Sequence, residues 1–202
     1  MTETVHRDRL PAAERRQAVL ETACRVFSDL SYRGATTAEI ARQAGVSEPI
    51  LYRHFGSKRE LYLACLDEAW RRLRAAGDAA VERRKGAVSR VGAVAECYMS
   101  SEDRVRLVDL WIQALTVAPE DEIIATALRG QIREVHAWFV EQLRASQAEG
   151  SVEPDRDPVA EAWLFIAGGL LVTIDHRLGG FLGPDMGRVK AARQAWLLKP
   201  TQ

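Results

Sequence analysis

Between Thr37 and Lys58 the sequence concentrates hydrogen-bond donors of the kind that bind phosphate oxygens. The hydroxyls of Thr37 and Tyr52, the imidazole of His54 and the ammonium of Lys58 all belong to this group. Such donors fix the position of a protein on a nucleic-acid backbone without reading its sequence. The pattern therefore predicts a phosphate-binding surface shared by these four residues.

The residues between these donors carry chemistry suited to base edges. Arg53 can donate to guanine, and Glu48 can accept from the amino group of cytosine. Pro49 and Ile50 offer apolar contacts to thymine methyl groups, and Ser47 begins the same short segment. We expect this set to face the major groove of double-stranded DNA.

Two short helices separated by a tight turn would position these side chains. Thr36 followed by Glu39 is a capping box, in which each side chain satisfies a backbone N–H of the helix start. Gly45 supplies the left-handed residue that ends this helix. Ser47 can cap the next helix, and Pro49 falls in its first turn. The pattern predicts a helix-turn-helix, whose second helix enters the DNA major groove.

The second helix, Ser47 to Phe55, has an inner and an outer face. Leu51 and Phe55 stand four residues apart and are predicted to face the core, which leaves the candidate contact residues outside. Ser57 and Glu60 form a second capping box that opens a longer helix. A helix from Pro11 to about Leu30 is expected to brace the motif.

The stretch AGVSEPILYRHFGSKREL resembles the DNA-binding signature of the TetR family of transcriptional regulators, and the preceding FSDLSYRGATTAEIA matches the same pattern. The resemblance covers roughly Arg15 to Leu66. Two positions depart from the family pattern. Ser31 stands where the family usually has a glycine ending the first helix, and Pro49 stands where glycine is frequent. The first departure bears on the geometry of that bend.

The resemblance implies an all-α fold of about nine helices, with a three-helix N-terminal head and a C-terminal helical bundle. It implies a DNA-binding domain over residues 1–57 and a ligand-binding and dimerisation domain over residues 58–202. By the same resemblance, the last two helices pair across a two-fold axis. The homodimer would bind a palindromic operator and release it when a small-molecule effector binds. This makes the chain a ligand-released repressor rather than an enzyme.

Composition and charge limit the other possibilities. The chain has 202 residues with 28 basic and 28 acidic side chains, so its formal net charge is zero. A balanced charge argues against a wholly basic nucleic-acid binder and implies weak non-specific binding. No apolar run approaches the ~18 residues of a membrane span, and the N-terminus lacks the apolar core of a signal peptide. We expect a cytoplasmic protein without a membrane partner.

The remainder of the chain predicts helices only. After a helix from Ser57 to Ala76, or through Gly77 toward Arg84, segments follow at roughly 88–100, 102–117, 120–148, 157–178 and 185–198. Three cysteines, Cys24, Cys65 and Cys97, are far apart and lack metal-ligand spacing. Their side chains fit small buried hydrophobic groups, with redox sensing as the alternative.

Aromatic and sulfur-containing side chains on the middle helices could line an effector pocket: Met99, Trp111, Trp138, Phe139 and Phe165. Ordinary core packing is the alternative for each of them. The candidates for placed polar groups are Gln113, Thr116, His136 and Thr173. The pattern favours an apolar or amphipathic effector over a highly charged one, and it predicts neither a metal nor a cofactor.

The segment 157–178 is apolar around more than one helix face, so we expect it to be buried on several sides. Gly168 and Gly169 lie in its middle, where glycine lowers helix stability. Close approach of another backbone would explain them. The alternative is that they leave room for a ligand.

Two other classes of function remain open. Asp175 and His176 are neighbours in sequence and point about 100° apart on a helix, so they form no acid–base pair unaided. No nucleophile elbow and no phosphate loop occurs, which disfavours an enzyme. The main alternative is a helical protein-interaction module without sequence-specific DNA binding, which the moderate charge and Glu48 would favour.

Overall fold

The computed structural model describes residues 11–84 and 90–197, without the side chains of residues 99, 100 and 194–197. Within those ranges the chain forms nine helices, which confirms the all-α prediction. They are α1 Ala12–Gly34, α2 Thr37–Gln43, α3 Glu48–His54, α4 Lys58–Arg83, α5 Arg90–Ser100, α6 Glu102–Val117, α7 Glu122–Ala148, α8 Pro158–Arg177 and α9 Pro184–Leu197. The chain divides into two compact units, Met1–Leu66 and Asp67–Gln202.

The first unit is built around the buried face of α1. Val19, Ala23 and Phe27 are fully buried there, and the Phe27 ring packs edge-on against Tyr62 of α4 at 5.0 Å between centroids. Leu30, at which the sequence predicts this helix to end, has a side chain that is 49% exposed. The reason is a bend in α1 at the residue that follows.

Ser31 bends the end of α1. Its backbone has φ 70° and ψ 166°, a positive φ that favours glycine. The Ser31 carbonyl accepts from Ala35, and the Ser31 hydroxyl accepts from the Gly34 N–H at 3.2 Å. The chain therefore makes the turn that the family makes with glycine, although serine stands at this position.

The predicted helix caps are confirmed in part. Thr36 accepts from the Glu39 N–H at 3.2 Å, and Ser57 accepts from the Glu60 N–H at 3.1 Å. The return bonds differ from the prediction. The Glu39 carboxylate is bound by Arg42 and Gln43, and the Glu60 carboxylate accepts from the Gly56 N–H. These glutamates therefore stabilise the turns without closing the capping boxes.

The second unit packs aromatic side chains between helices. Gly77 of α4 allows the Trp138 indole to approach, because a Cβ at that glycine would lie 2.7 Å from the ring. The Trp138 indole N–H donates to Asp78 at 3.0 Å. Trp111 and Phe139 are also buried. Close packing of large rings therefore joins α4 to α7 in this unit.

Helix α8 is less enclosed than its apolar sequence predicted. Val159, Trp163, Leu164 and Ile174 are each more than two fifths exposed. By length and composition alone, Pro158–Arg177 is apolar enough to cross a membrane, so the prediction that no such run exists was wrong. A core helix of a soluble protein passes the same test, but only 28% of this apolar window is buried within the chain.

The glycine pair of α8 has a different neighbour from the one expected. A Cβ at Gly169 would lie 2.7 Å from Cε1 of Tyr98 and would overlap its hydroxyl. A Cβ at Gly168 would have no described atom within 4 Å. The close approach is therefore made by a side chain of α5 and not by a second backbone.

Candidate functional site

Helices α2 and α3 and the turn between them form the predicted helix-turn-helix. Gly45 takes φ 69° and ends α2 in the left-handed conformation that was expected. Leu51 is fully buried and Phe55 is 3% exposed, which confirms the predicted inner face of α3. Ser47 occupies the N-cap position, but its side chain makes no capping hydrogen bond, contrary to expectation.

The opposite face of α3 carries the candidate contact residues. Pro49, Tyr52 and Arg53 are exposed, while Ile50 and His54 are half-buried. These side chains lie on an accessible surface because the inner face is anchored in the core of the first unit. The accessible face combines a cation, an imidazole, a phenol and apolar groups, which suits both phosphates and base edges.

Three predicted contact residues meet at one hydroxyl. The Thr37 hydroxyl donates to the Glu48 carboxylate at 2.5 Å and lies 3.0 Å from the Tyr52 hydroxyl. The single Thr37 proton is used by Glu48, so Tyr52 is the donor to Thr37. Thr37 is only 8% exposed. In this structure both hydroxyl protons are therefore committed within the head.

The cationic side chains near this face differ in their contacts and in their exposure to solvent. The Lys58 ammonium lies 4.9 Å from the centroid of the Tyr32 ring, and burial lowers the pKa of Lys58. The Arg42 guanidinium is held by Glu39, whose pKa hydrogen bonds from Arg42 and Gln43 lower to about 2. Of these three cations, Arg53 is therefore the one exposed on the outer face of α3.

The predicted effector residues of the second unit fall into two groups. The Phe139 ring contacts both Trp138 and Phe165. Its centroid lies 5.1 Å from that of Trp138 and 5.3 Å from that of Phe165. Tyr98 extends this aromatic cluster from Phe139 at 5.3 Å. Met99 lies outside the described side chains. Trp138 and Phe139 are buried in the core, and the role of these residues in binding an effector stays a prediction.

Trp111 lies elsewhere, in an apolar groove between α6, α7 and α8. The groove has a volume of about 270 Å³ and is lined by Trp111, Leu115, Ile132, Trp163 and further apolar residues of α8. The Trp111 indole N–H donates to Gln131 at 2.6 Å. Among the polar candidates, Thr116 donates to the Gln113 carbonyl and His136 contacts the Val159 carbonyl, so neither reaches the aromatic cluster.

Sequence reasoning missed a buried arginine beside the aromatic cluster. Arg104 of α6 is 3% exposed, and its Nη1 donates to the Gly169 carbonyl at 3.3 Å and to the Thr173 hydroxyl at 3.0 Å. A signal was present in the sequence. Arg104 precedes Leu107, Val108 and Trp111 by three, four and seven residues, so it stands on the apolar stripe of its helix.

Comparison with known proteins supports the helix-turn-helix assignment. Residues 19–65 match the family described as bacterial regulatory proteins, tetR family. The HTH-type transcriptional activator FasR of Mycolicibacterium smegmatis is 56% identical over 59 residues, which are 29% of this chain and 27% of FasR. The HTH-type transcriptional regulator BetI of Brucella anthropi is 30% identical over 146 residues, which are 68% of this chain and 75% of BetI.

The chain belongs to the TetR family. A transcriptional regulator of Saccharomonospora viridis in complex with choline has the same fold, with a TM-score of 0.75 over 93% of this chain and all of that one, at 19% identity. TetR-family membership carries the coarse function of DNA-binding regulation of transcription. Because the chain spans only about a quarter of the length of FasR, 27%, its partners and its regulatory direction are matters for proposal.

No metal centre emerges among the residues that this TetR-family structure describes. Within 11–84 and 90–197, no group of three or more histidine, cysteine, aspartate or glutamate side chains could hold an ion. Cys24 and Cys65 are buried, and Cys97 is half-buried with its thiol pKa raised, mainly by burial. A raised thiol pKa disfavours the reactive thiolate at Cys97.

Proposed function

We propose that the chain is a ligand-released repressor that binds a palindromic operator as a homodimer. Its DNA-binding domain is residues 1–57, and residues 58–202 bind the effector and form the dimer. The observation that carries the proposal is the orientation of α3, whose Leu51 and Phe55 are buried while Pro49, Tyr52 and Arg53 are exposed. Two such helices would enter successive major grooves about 34 Å apart.

The residues of the head have separate roles in this proposal. Thr37, Tyr52, His54 and Lys58 bind phosphates and set the register of the helix. Glu48, Pro49, Ile50 and Arg53 meet base edges, and Ser47 lies at the start of the helix beside the DNA backbone. For Tyr52 this requires its hydrogen bond to Thr37 to be exchanged for one to a phosphate oxygen, and for Thr37 it requires the same exchange of the bond to Glu48.

The homodimer is proposed to form through α8 and α9. Its support is the apolar surface that these helices and their connection leave exposed, including Trp163, Leu164, Leu178 and Phe181. A surface of this kind is costly in water and is typical of an interaction site. A dimer interface accounts for the exposed face of α8 in a cytoplasmic protein that needs no membrane.

The proposed release mechanism is a shift between two states of the dimer. An effector in the second unit favours the state in which the heads no longer match the operator. It can do so only by binding that state more tightly. The aromatic cluster supplies apolar contacts, and the S. viridis neighbour with choline is an example of a small molecule bound to this fold.

Fluorescence anisotropy tests the proposal. Labelled DNA from the promoter of the chain's own gene is titrated with the full-length protein, and random DNA of equal length is the control. We expect tight, salt-dependent binding to the promoter fragment and a complex of two chains by light scattering. Equal affinity for both fragments would favour the alternative, a helical protein-interaction module, for which the engaged Glu48 carboxylate is the supporting observation.

A further inference from the structure

Arg104 is a buried cation without a buried anion to balance it. Its side chain is almost inaccessible to water, and it forms no ion pair with any described residue. Asp109, an acid of the same helix, forms its ion pair with Arg177 at 2.6 Å, and it acts on Arg104 only through its charge, without contact. Burying a charge without a counter-charge is costly, and burial lowers the pKa of Arg104 accordingly. A fold that needs only packing here would use an apolar side chain.

The hydrogen bonds of Arg104 do not explain why a charged residue stands at this buried position. Both are made by Nη1, and the buried Nε has no partner within the described chain. The two acceptors do not depend on it either. Thr173 donates to the Gly169 carbonyl at 3.1 Å, so each of these groups keeps a partner without the arginine. The guanidinium is therefore dispensable for satisfying α8.

A second donor without an acceptor lies beside it. The Tyr98 ring is 5.8 Å from the guanidinium carbon, and Tyr98 is 3% exposed. No hydrogen bond joins the Tyr98 hydroxyl to another described residue, although this oxygen, unlike Nε of Arg104, is not fully buried without a partner. Burial raises the pKa of Tyr98 to about 12, so the phenol stays protonated. One buried cation and one phenol, each with an unused proton, form a set that lacks an anionic acceptor.

The surroundings define the rest of the ligand. Tyr98 connects this set to Phe139, and Phe139 connects it to Phe165 and Trp138. The charged end of the site is thus continuous with the aromatic cluster. A matching ligand has an acid group at one end and an apolar body.

We propose that Tyr98 and Arg104, named here the Arg104 cluster, bind the acid group of the effector, so that the effector is an organic anion with an apolar body. This inference rests on the proposed function, because it names the chemical class of the effector. A quaternary ammonium such as choline is excluded from this position by the charge of Arg104. In the free protein the cluster is a destabilising element that the ligand neutralises.

Thermal unfolding of the full-length protein tests the cluster without DNA. The probes are straight-chain carboxylates of six to twelve carbons and arylalkanoates, each paired with its own carboxamide, with choline as the cationic probe. We expect at least one acid to raise the melting temperature, its amide to have little effect and choline to have none. If no acid exceeded its amide, the proposal would be overturned.

Three variants identify the residue responsible. Arg104→Met should raise the melting temperature of the free protein and lower its affinity for the active acid at least about tenfold, while Arg104→Lys should retain part of the response. Arg106→Met is the matched control, because Arg106 lies on the same helix and faces Asp103 near the surface at 3.7 Å. It should change neither quantity.

The outcomes separate this inference from the proposed function. If Arg104→Met lowered the melting temperature, failed to fold or kept the acid response, Arg104 would be a structural residue and the inference would be wrong. Operator binding by the wild-type protein is measured independently by anisotropy. A protein that binds its operator but ignores every acid contradicts only the inference, and one that responds to an acid but ignores its promoter contradicts the proposed function.

Discussion

The Thr37 hydroxyl donates to the Glu48 carboxylate at 2.5 Å, and this bond joins α2 to the start of α3. Tyr52 lies 3.0 Å from the same hydroxyl, so one buried oxygen couples three residues proposed to meet DNA. Glu48 then has two roles. It holds the second helix against the first, and in the proposed function it presents its remaining acceptor sites to the groove.

Replacing Glu48 separates these roles. Glu48→Gln keeps an acceptor for Thr37, so the head should remain as stable as in the wild type while the preferred base pair changes. Glu48→Ala removes both the acceptor for Thr37 and the base contact. The free energy of DNA binding should fall by roughly 1–3 kcal/mol at the base pair that Glu48 reads, and the free energy of unfolding should fall by about 1 kcal/mol. Binding-site selection and urea unfolding measure the two effects. A Glu48→Ala protein that selects the wild-type motif would show that this carboxylate reads no base.

Loss of a phosphate contact should weaken binding about equally for all DNA sequences. Lys58→Ala removes a cation, so the slope of log affinity against log salt should fall by about one. Tyr52→Phe removes a neutral donor and should lower affinity with no change in slope. Anisotropy titrations at several salt concentrations check both. An unchanged slope for Lys58→Ala would place that ammonium away from the DNA.

Ser31→Gly should stabilise the protein. A positive φ at serine costs of order 1–3 kcal/mol, whereas glycine adopts it without strain. The gain is reduced by the lost bond from Gly34 and by the greater freedom of glycine in the unfolded chain, which leaves up to about 1 kcal/mol. Urea unfolding measures it. Ser28→Gly, in the regular part of α1, is the control and should destabilise by about 0.5 kcal/mol.

Gly169→Ala should destabilise the second unit. The new methyl group would overlap the Tyr98 hydroxyl, and displacing a buried ring typically costs 1–3 kcal/mol, so we expect a loss of about that size. Gly130→Ala is the matched control on α7, where a Cβ would meet no described atom within 4 Å. It should stabilise by about 0.5–1 kcal/mol through helix propensity. If both variants behaved alike in thermal unfolding, Tyr98 would have room to move aside.

Glu149 gives the protein an acid-sensitive ion pair. The pKa of Glu149 falls from 4.5 to about 2, mainly because Arg84 donates hydrogen bonds to its carboxylate. Burial opposes this shift, and a hydrogen bond from Arg90 adds a smaller lowering effect. A lowered pKa in the folded state means that the pair stabilises above pH 4.5 and loses this contribution as the pH falls toward 2.

Glu149→Gln should therefore lower the melting temperature at neutral pH, with the difference from wild type vanishing near pH 2. Arg84→Gln should reproduce most of the effect, because Arg84 makes the shorter contacts, 2.6 and 2.7 Å. Melting curves between pH 2 and 7 decide the matter. A difference that persisted unchanged at the acid end would mean that the charge of Glu149 does not contribute.

The helices could be predicted from the sequence because their signals are local. Thr36 and Ser57 cap the helices they were expected to cap, Gly45 ends α2, and Leu51 and Phe55 face inward at the predicted spacing. A cap, a left-handed glycine and an apolar repeat each depend on residues within one or two turns. The family signature covers these same residues.

The contacts between helices could not be predicted in this way. Thr37 reaches Glu48, Tyr98 fills the space at Gly169, and Arg104 reaches α8 only because separate segments pack at particular distances. The face of α8 was misjudged for a related reason. An apolar surface has the same sequence whether it packs within one chain or lies exposed for another molecule to cover.

The indole rings of Trp70 and Trp138 lie 5.7 Å apart at an interplanar angle of 81°. Two chromophores that are this close and nearly perpendicular couple their electronic transitions. The second unit therefore contains an intrinsic spectroscopic probe. Its near-ultraviolet circular dichroism would register a small displacement of α7 against α4. Spectroscopy on the unmodified chain could thus follow an internal rearrangement in real time, with no dye attached.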